Sequence, residues 1–147
     1  MKYLKRIFEK NKSESDKENI LTSLKSYLKD VDNNWNYITP LDLNKALNKD
    51  PDKYFLLDIR KSEDFKKGHI KGTKNIFWKD LLDNLDDLPK DKKIVLICYV
   101  GHTSSQMLVS LRQLGYDVIS LKFGMGVSPV EGVPVAGWLD YGYPVSK

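Results

Sequence analysis

With 147 residues, 41% of them hydrophobic and 30% charged, the chain is long enough to close one core and short for two. Its net charge of +4 is scattered rather than gathered with a nucleic-acid motif, so it reads as solubility with some attraction for small anions, and no nucleic-acid partner is expected. One cysteine excludes an internal disulfide and, beside only two histidines, a zinc cluster, so no metal and no other cofactor is expected.

No apolar run approaches the roughly 20 residues of a membrane-spanning helix, and the start MKYLKRIFEK lacks the apolar centre and cleavage site of a secretory signal. A thiol kept reduced fits the cytoplasm, with an exported or anchored form left open if the start is trimmed. Residues 1–8 are expected to form a short basic amphipathic turn in which Tyr3, Leu4, Ile7 and Phe8 share a side; at that length membrane contact is the weaker interpretation. Residues 9–19 are almost wholly polar and suit a linker or a solvated helix face. Ile20, Leu21, Leu24, Tyr27, Leu28 and Val31 then recur at helical spacing and predict an amphipathic helix. Residues 1–36 are thus expected to be a helical extension that docks on the following domain, a second copy or a protein partner, and residues 37–147 to be the domain itself.

Within that domain, Thr39 caps a helix that Pro40 opens and that runs to about Leu47. Residues 54–59 make an apolar strand that ends in Asp58-Ile59-Arg60. Ser62 is the expected cap of a short helix that Gly68 ends, and a Gly-His-Ile turn leads to a short strand over 74–76. Residues 78–85 look helical, and Pro89 turns the chain into Ile94, Val95, Leu96 and Ile97, an unbroken run typical of a strand covered on both faces. Cys98 follows at once. Thr103 and Ser104 are N-cap candidates for the next helix, which turns Met107, Leu108 and Leu111 inward and stops at Gly115; residues 117–121 give one more strand. This alternation predicts an α/β fold with a mostly parallel central sheet and helices on both faces.

The place of Cys98 carries chemical meaning. The first turn of a helix leaves amide N–H groups unpaired and carries partial positive charge, so an anion is stabilised there. An ordinary cysteine is only about 3% thiolate at pH 7, and helix N-termini and cationic neighbours raise that fraction. Gly101 permits a backbone turn that aims successive N–H groups inward. The bland alternative is a cysteine that merely fills a core. The coincidence of strand end, glycine and helix start favours a reactive thiol, because ligands of open α/β sheets bind at the carboxyl ends of strands. Lacking a second cysteine, the chain must pass any sulfur adduct to an outside molecule.

Several separated motifs resemble a single rhodanese domain over nearly three quarters of the chain. LLDIRKSEDFKKGHIKGTKNI is similar to the family's first signature, CYVGHTSS to its active-site loop, and LKFGM with the later GWLDYGYPV to its closing signature. The resemblance implies a sulfurtransferase without a cofactor: Cys98 takes the outer sulfur of a donor such as thiosulfate, becomes a persulfide, and passes the sulfur to cyanide or a thiol. It also implies that Tyr99, Val100, Gly101, His102 and Thr103 supply inward amides, that Thr103 and Ser104 add hydroxyl donors, and that Asp58 and Arg60 brace the loop or form a structural ion pair. His69 is expected to bond to backbone, and His102 to face solvent or the donor.

Related phosphatases and arsenate reductases carry an arginine six positions after the cysteine, where this chain has Ser104, and without that guanidinium the oxyanion loses its main clamp. A second interpretation is a persulfide carrier or redox-sensing module that turns over small donors poorly, with the N-terminal segment as its docking surface. The insertion GVSPVEGVPVA at 126–136 departs from the family pattern and is expected to cover Cys98 in part.

Overall fold

The computed structural model describes residues 13–31, 35–126 and 136–147. The turn expected at 1–8 and the insertion between Gly126 and Ala136 lie outside the described residues. The chain divides into two compact units, Met1–Val31 and Asp32–Lys147.

The first unit holds α1, Glu14–Lys29. It begins earlier than hydrophobic spacing indicates because Ser13 and Asp16 cap each other reciprocally: the Ser13 side chain accepts the Asp16 N–H, and the Asp16 carboxylate accepts the Ser13 N–H. A Glu14–Lys17 pair at 2.6 Å supports the same exposed turn. Ile20, Leu21, Leu24 and Leu28 are exposed on this helix.

The second unit is built on five strands: β1 Tyr37–Ile38, β2 Phe55–Asp58, β3 Lys74–Asn75, β4 Ile94–Ile97 and β5 Val118–Leu121. Their order is β1-β5-β4-β2-β3, and every pair is parallel, so each connection has to cross over a face of the sheet. β4 lies at the centre with all four residues buried, as its unbroken apolar run predicts. β1 is an addition to the elements read from sequence, since two residues carry no periodicity; it forms through pairing of Tyr37 with Ser120 and Ile38 with Leu121.

Alternation along the strands separates two apolar layers. On one face Leu56, Val95, Ile97, Ile119 and Leu121 pack with Leu43, Met125 and Trp138. Leu43 belongs to α2, Pro40–Lys49, whose cap Thr39 accepts the Asp42 N–H. The opposite face presents Leu57, Leu96 and Ser120 in register, and α4, His102–Gln113, lies over it with Met107, Leu108 and Leu111 buried.

Three local expectations are corrected. The short helix α3, Ser62–Lys67, has Lys61 and not Ser62 at its N-cap, without a side-chain cap bond. Residues 78–85 are helical only from Leu81, where a 3-10 segment, Leu81–Asp87, runs past the expected end and is kinked at Asn84. Neither Thr103 nor Ser104 caps α4, because Gly101 stands at the N-cap in a left-handed conformation and moves the start forward.

Trp138 closes the Leu43 side of the core at 2% exposure, and its Nε1–H donates to the Pro144 carbonyl at 3.0 Å. Trp138→Ala is expected to cost about 3 to 5 kcal/mol, read from denaturant unfolding. An unchanged midpoint would contradict this packing.

Candidate active site

Cys98 follows the last residue of β4, and the loop it opens is fastened from the next strand over. The Cys98 carbonyl accepts the Met125 N–H at 2.9 Å, and the Tyr99 carbonyl accepts the Gly126 N–H at 3.0 Å. This approach requires glycine at 124: its φ is +52°, and a Cβ there would stand 2.2 Å from the Cys98 oxygen. Gly101, at φ +94°, swings its own N–H onto the Cys98 sulfur at 3.1 Å.

Cys98 is 1% exposed and lies under the loop at the start of α4. Its thiol donates to Ser104 Oγ at 3.3 Å. Ser104 is buried, reaches the Gly101 carbonyl at 3.1 Å and meets Ser120 Oγ at 2.7 Å. Ser105 holds the Gly101 carbonyl through both its N–H (3.2 Å) and its hydroxyl (2.6 Å), and Tyr37 Oη lies 3.1 Å from that hydroxyl. Of the expected loop residues, the structure therefore brings Gly101 and Ser104 onto the sulfur. Val100 and Thr103 are half-buried in the loop and first turn, and His102 is exposed.

Tyr99 turns away from Cys98. Its hydroxyl donates to Asp64 on α3 at 2.6 Å and accepts the Lys61 N–H at 3.4 Å, while the Arg60 guanidinium lies 5.9 Å from its ring centre. Hydrogen bonds from Lys67 and then from Tyr99 hold the Asp64 carboxyl below its ordinary 3.8. Burial first, and the bond to Asp64 second, push the Tyr99 phenol above its ordinary 10.0.

Arg60 is 4% exposed and closes on Asp58, with Nη2 at 2.7 Å from Oδ2 and Nε at 3.0 Å from Oδ1; Nη2 also donates to the Gly68 carbonyl at 2.8 Å. These contacts join the end of β2 to the turn after α3. His69 Nδ1 lies 3.0 Å from the Phe65 carbonyl, and its ring stacks on Phe65 at 3.8 Å, so it bonds to backbone as expected.

Sequence reasoning missed Ser120 and Asp64 as neighbours of the loop. Ser120 had a visible signal, a polar residue within the otherwise apolar Val118-Ile119-Ser120-Leu121. Asp64 had none beyond its place in an acidic turn. Among the described residues no cluster of three or more His, Cys, Asp or Glu is placed to hold a metal ion, and no helix is long and apolar enough to cross a membrane.

A family model described as the rhodanese-like domain matches residues 39–126. The chain belongs to the rhodanese-like family. The match stops where the insertion begins, ahead of the closing segment at 137–145. A tRNA sulfurtransferase of Pyrobaculum aerophilum is 36% identical over 72 residues, 49% of this chain but 15% of that protein. The thiosulfate sulfurtransferase GlpE of Shewanella oneidensis is 33% identical over 70 residues, 47% of this chain and 69% of its own length. A crystal structure of a rhodanese-related protein from Thermoplasma volcanium superimposes with a TM-score of 0.61 at 27% identity, covering 75% of this rhodanese-like chain and 96% of its own. These relatives place it within a family of sulfurtransferases.

The Tyr99–Asp64 bond has a pH window set at both ends. Asp64, with its value lowered in the fold, contributes stability above 3.8 that is lost as pH falls through the folded value. Tyr99, with its value raised, contributes below 10.0 and loses its share as pH rises through the folded value. Tyr99→Phe should therefore destabilise the protein by about 1 kcal/mol or less near neutrality, since the pair is partly solvated, and the difference should shrink in acid. Denaturant unfolding of both proteins over a pH series checks this; a difference undiminished in strong acid would contradict it.

Proposed function

We propose that the chain is a sulfurtransferase that carries sulfane sulfur on Cys98 and moves it from a small anionic donor such as thiosulfate to cyanide or a thiol. The observation that supports this most is the sulfur itself, held at the start of α4 with the Gly101 N–H at 3.1 Å and the Ser104 hydroxyl at 3.3 Å. Ionised sulfur is costly to bury without donors, and both groups are placed to supply them, along with the partial positive charge of the helix end.

The steps balance without a cofactor. The Cys98 thiolate attacks the outer sulfur of thiosulfate, a new S–S bond forms, and the old one breaks as sulfite departs with its electron pair. Cyanide or a thiolate then attacks the outer sulfur of the Cys98 persulfide, and the Cys98 thiolate is released. Amide and hydroxyl donors aimed at Sγ stabilise the charge that starts and ends each step. Because Cys98 is buried, donors whose transferable sulfur is terminal suit it best.

Tyr99, Val100, Gly101, His102, Thr103 and Ser104 form the anion-binding loop in this account, and Asp58 with Arg60 braces it from β2. Arg60, engaged by Asp58 and Gly68, acts through position and not by touching the donor. Ser104 stands where phosphate chemistry would need a guanidinium, which further favours sulfur. Residues 37–147 carry this activity in the cytoplasm, and the exposed Ile20, Leu21, Leu24 and Leu28 of the extension suit a protein contact.

Steady-state formation of thiocyanate from thiosulfate and cyanide tests the proposal. Cys98→Ser should lower kcat/KM by more than about a thousandfold while leaving the unfolding midpoint close to that of the parent. Activity retained in Cys98→Ser would refute the assignment. A parent protein that takes up sulfur but releases no thiocyanate would instead be a carrier.

A further inference from the structure

Ser120 is a buried hydroxyl in an otherwise apolar strand, and a buried hydroxyl without a partner is costly. Its partner is Ser104 Oγ at 2.7 Å, which ties β5 to the first turn of α4 directly behind the Cys98 sulfur. Either hydroxyl could donate in that bond, and the hydrogens available decide which arrangement satisfies every neighbour. Ser104 has one hydroxyl hydrogen and three polar neighbours: the Gly101 carbonyl at 3.1 Å, Cys98 Sγ at 3.3 Å and Ser120 Oγ at 2.7 Å. Ser120 also has one hydrogen, and among the described hydrogen bonds Ser104 Oγ is the acceptor it meets. The arrangement that satisfies every neighbour has Ser120 donating and Ser104 keeping its own hydrogen for Gly101 or for sulfur.

We propose that Ser120 is a positioning residue for Cys98: by donating to Ser104 Oγ it reserves and polarises the Ser104 hydrogen, which turns to the Cys98 sulfur when that sulfur carries negative charge. With the thiol protonated, the S–H donates to Ser104 and the Ser104 hydrogen goes to the Gly101 carbonyl. When the thiol proton leaves to solvent, the Ser104 hydroxyl rotates to donate to sulfur. Gly101 is not stranded by that rotation, because the Ser105 N–H and hydroxyl both remain on its carbonyl. A hydroxyl that accepts a hydrogen bond donates a stronger one, so the Ser120 bond strengthens the support for the anion.

The surrounding elements carry other charged or titratable groups. They include the Asp58–Arg60 pair at the end of β2, Tyr99 in the loop, His102 and Arg112 on α4, Tyr37 on β1 and Lys122 just beyond β5, and substitution at Ser120 leaves all of them in place. The inference rests on Cys98 being the sulfur that takes up charge in the proposed reaction.

Cys98 is the sole cysteine, so protein labelled with [β-13C]cysteine gives one resonance whose pH midpoint reports its ionisation. Ser120→Ala should raise that midpoint by roughly 0.3 to 0.7 pH unit, Ser120→Thr should keep the parent value, and Ser120→Ala should add no shift in a Ser104→Ala background. An unmoved midpoint in Ser120→Ala, a displaced one in Ser120→Thr, or an equal shift in both backgrounds would overturn the proposal. The titration uses no sulfur donor. A parent protein inactive with thiosulfate would thus refute the proposed function while leaving this result to stand or fall by itself.

Discussion

Two backbone hydrogen bonds govern the site: the amides of Met125 and Gly126 on the carbonyls of Cys98 and Tyr99. They fix the chain where it leaves β4, before the loop has made any contact of its own. The loop can then turn back through Gly101, place an N–H on the sulfur and enter α4. The approach is so close that Gly124 has no room for a Cβ. The turn after β5 is therefore part of the site, although none of its side chains is described as touching Cys98.

The same constraint explains how the sulfur is supported. Its neighbours are neutral: the Gly101 amide donates to it and the Ser104 hydroxyl accepts its thiol hydrogen, with a helix end behind them. A buried guanidinium beside the sulfur would also stabilise an anion, but Arg60 is held by Asp58 and Gly68 and braces the end of β2. Tyr99 is likewise directed outward, onto Asp64 of α3. The loop is thus anchored on one side by β5 and its turn and on the other by α3, with the sulfur between. Chemistry that needs a small anion stabilised without a fixed counter-charge suits such a loop.

Much of this was legible in the sequence because the strongest signals are local. The run Ile94 to Ile97 announces a central strand, and the glycine that follows Cys98 announces the turn. Met107, Leu108 and Leu111 mark the buried side of α4 by spacing alone. What escaped depends on other elements. β1 exists because β5 offers it a partner, α4 starts at His102 because Gly101 adopts a left-handed conformation, and Asp64 meets Tyr99 only once α3 folds beside the loop. Ser104 was expected beside the sulfur, and its hydroxyl accepts the Cys98 thiol there, yet its link to Ser120 spans 16 residues and two elements. No local pattern encodes such a contact.

The account stands on Cys98 as the atom that carries sulfur. Intact mass spectrometry of the parent protein and of Cys98→Ser, after exposure to thiosulfate and then to cyanide, tests this most directly. The parent alone should gain one sulfur mass, and cyanide should remove it. A parent that gains no sulfur, or a Cys98→Ser protein that gains as much, would contradict it.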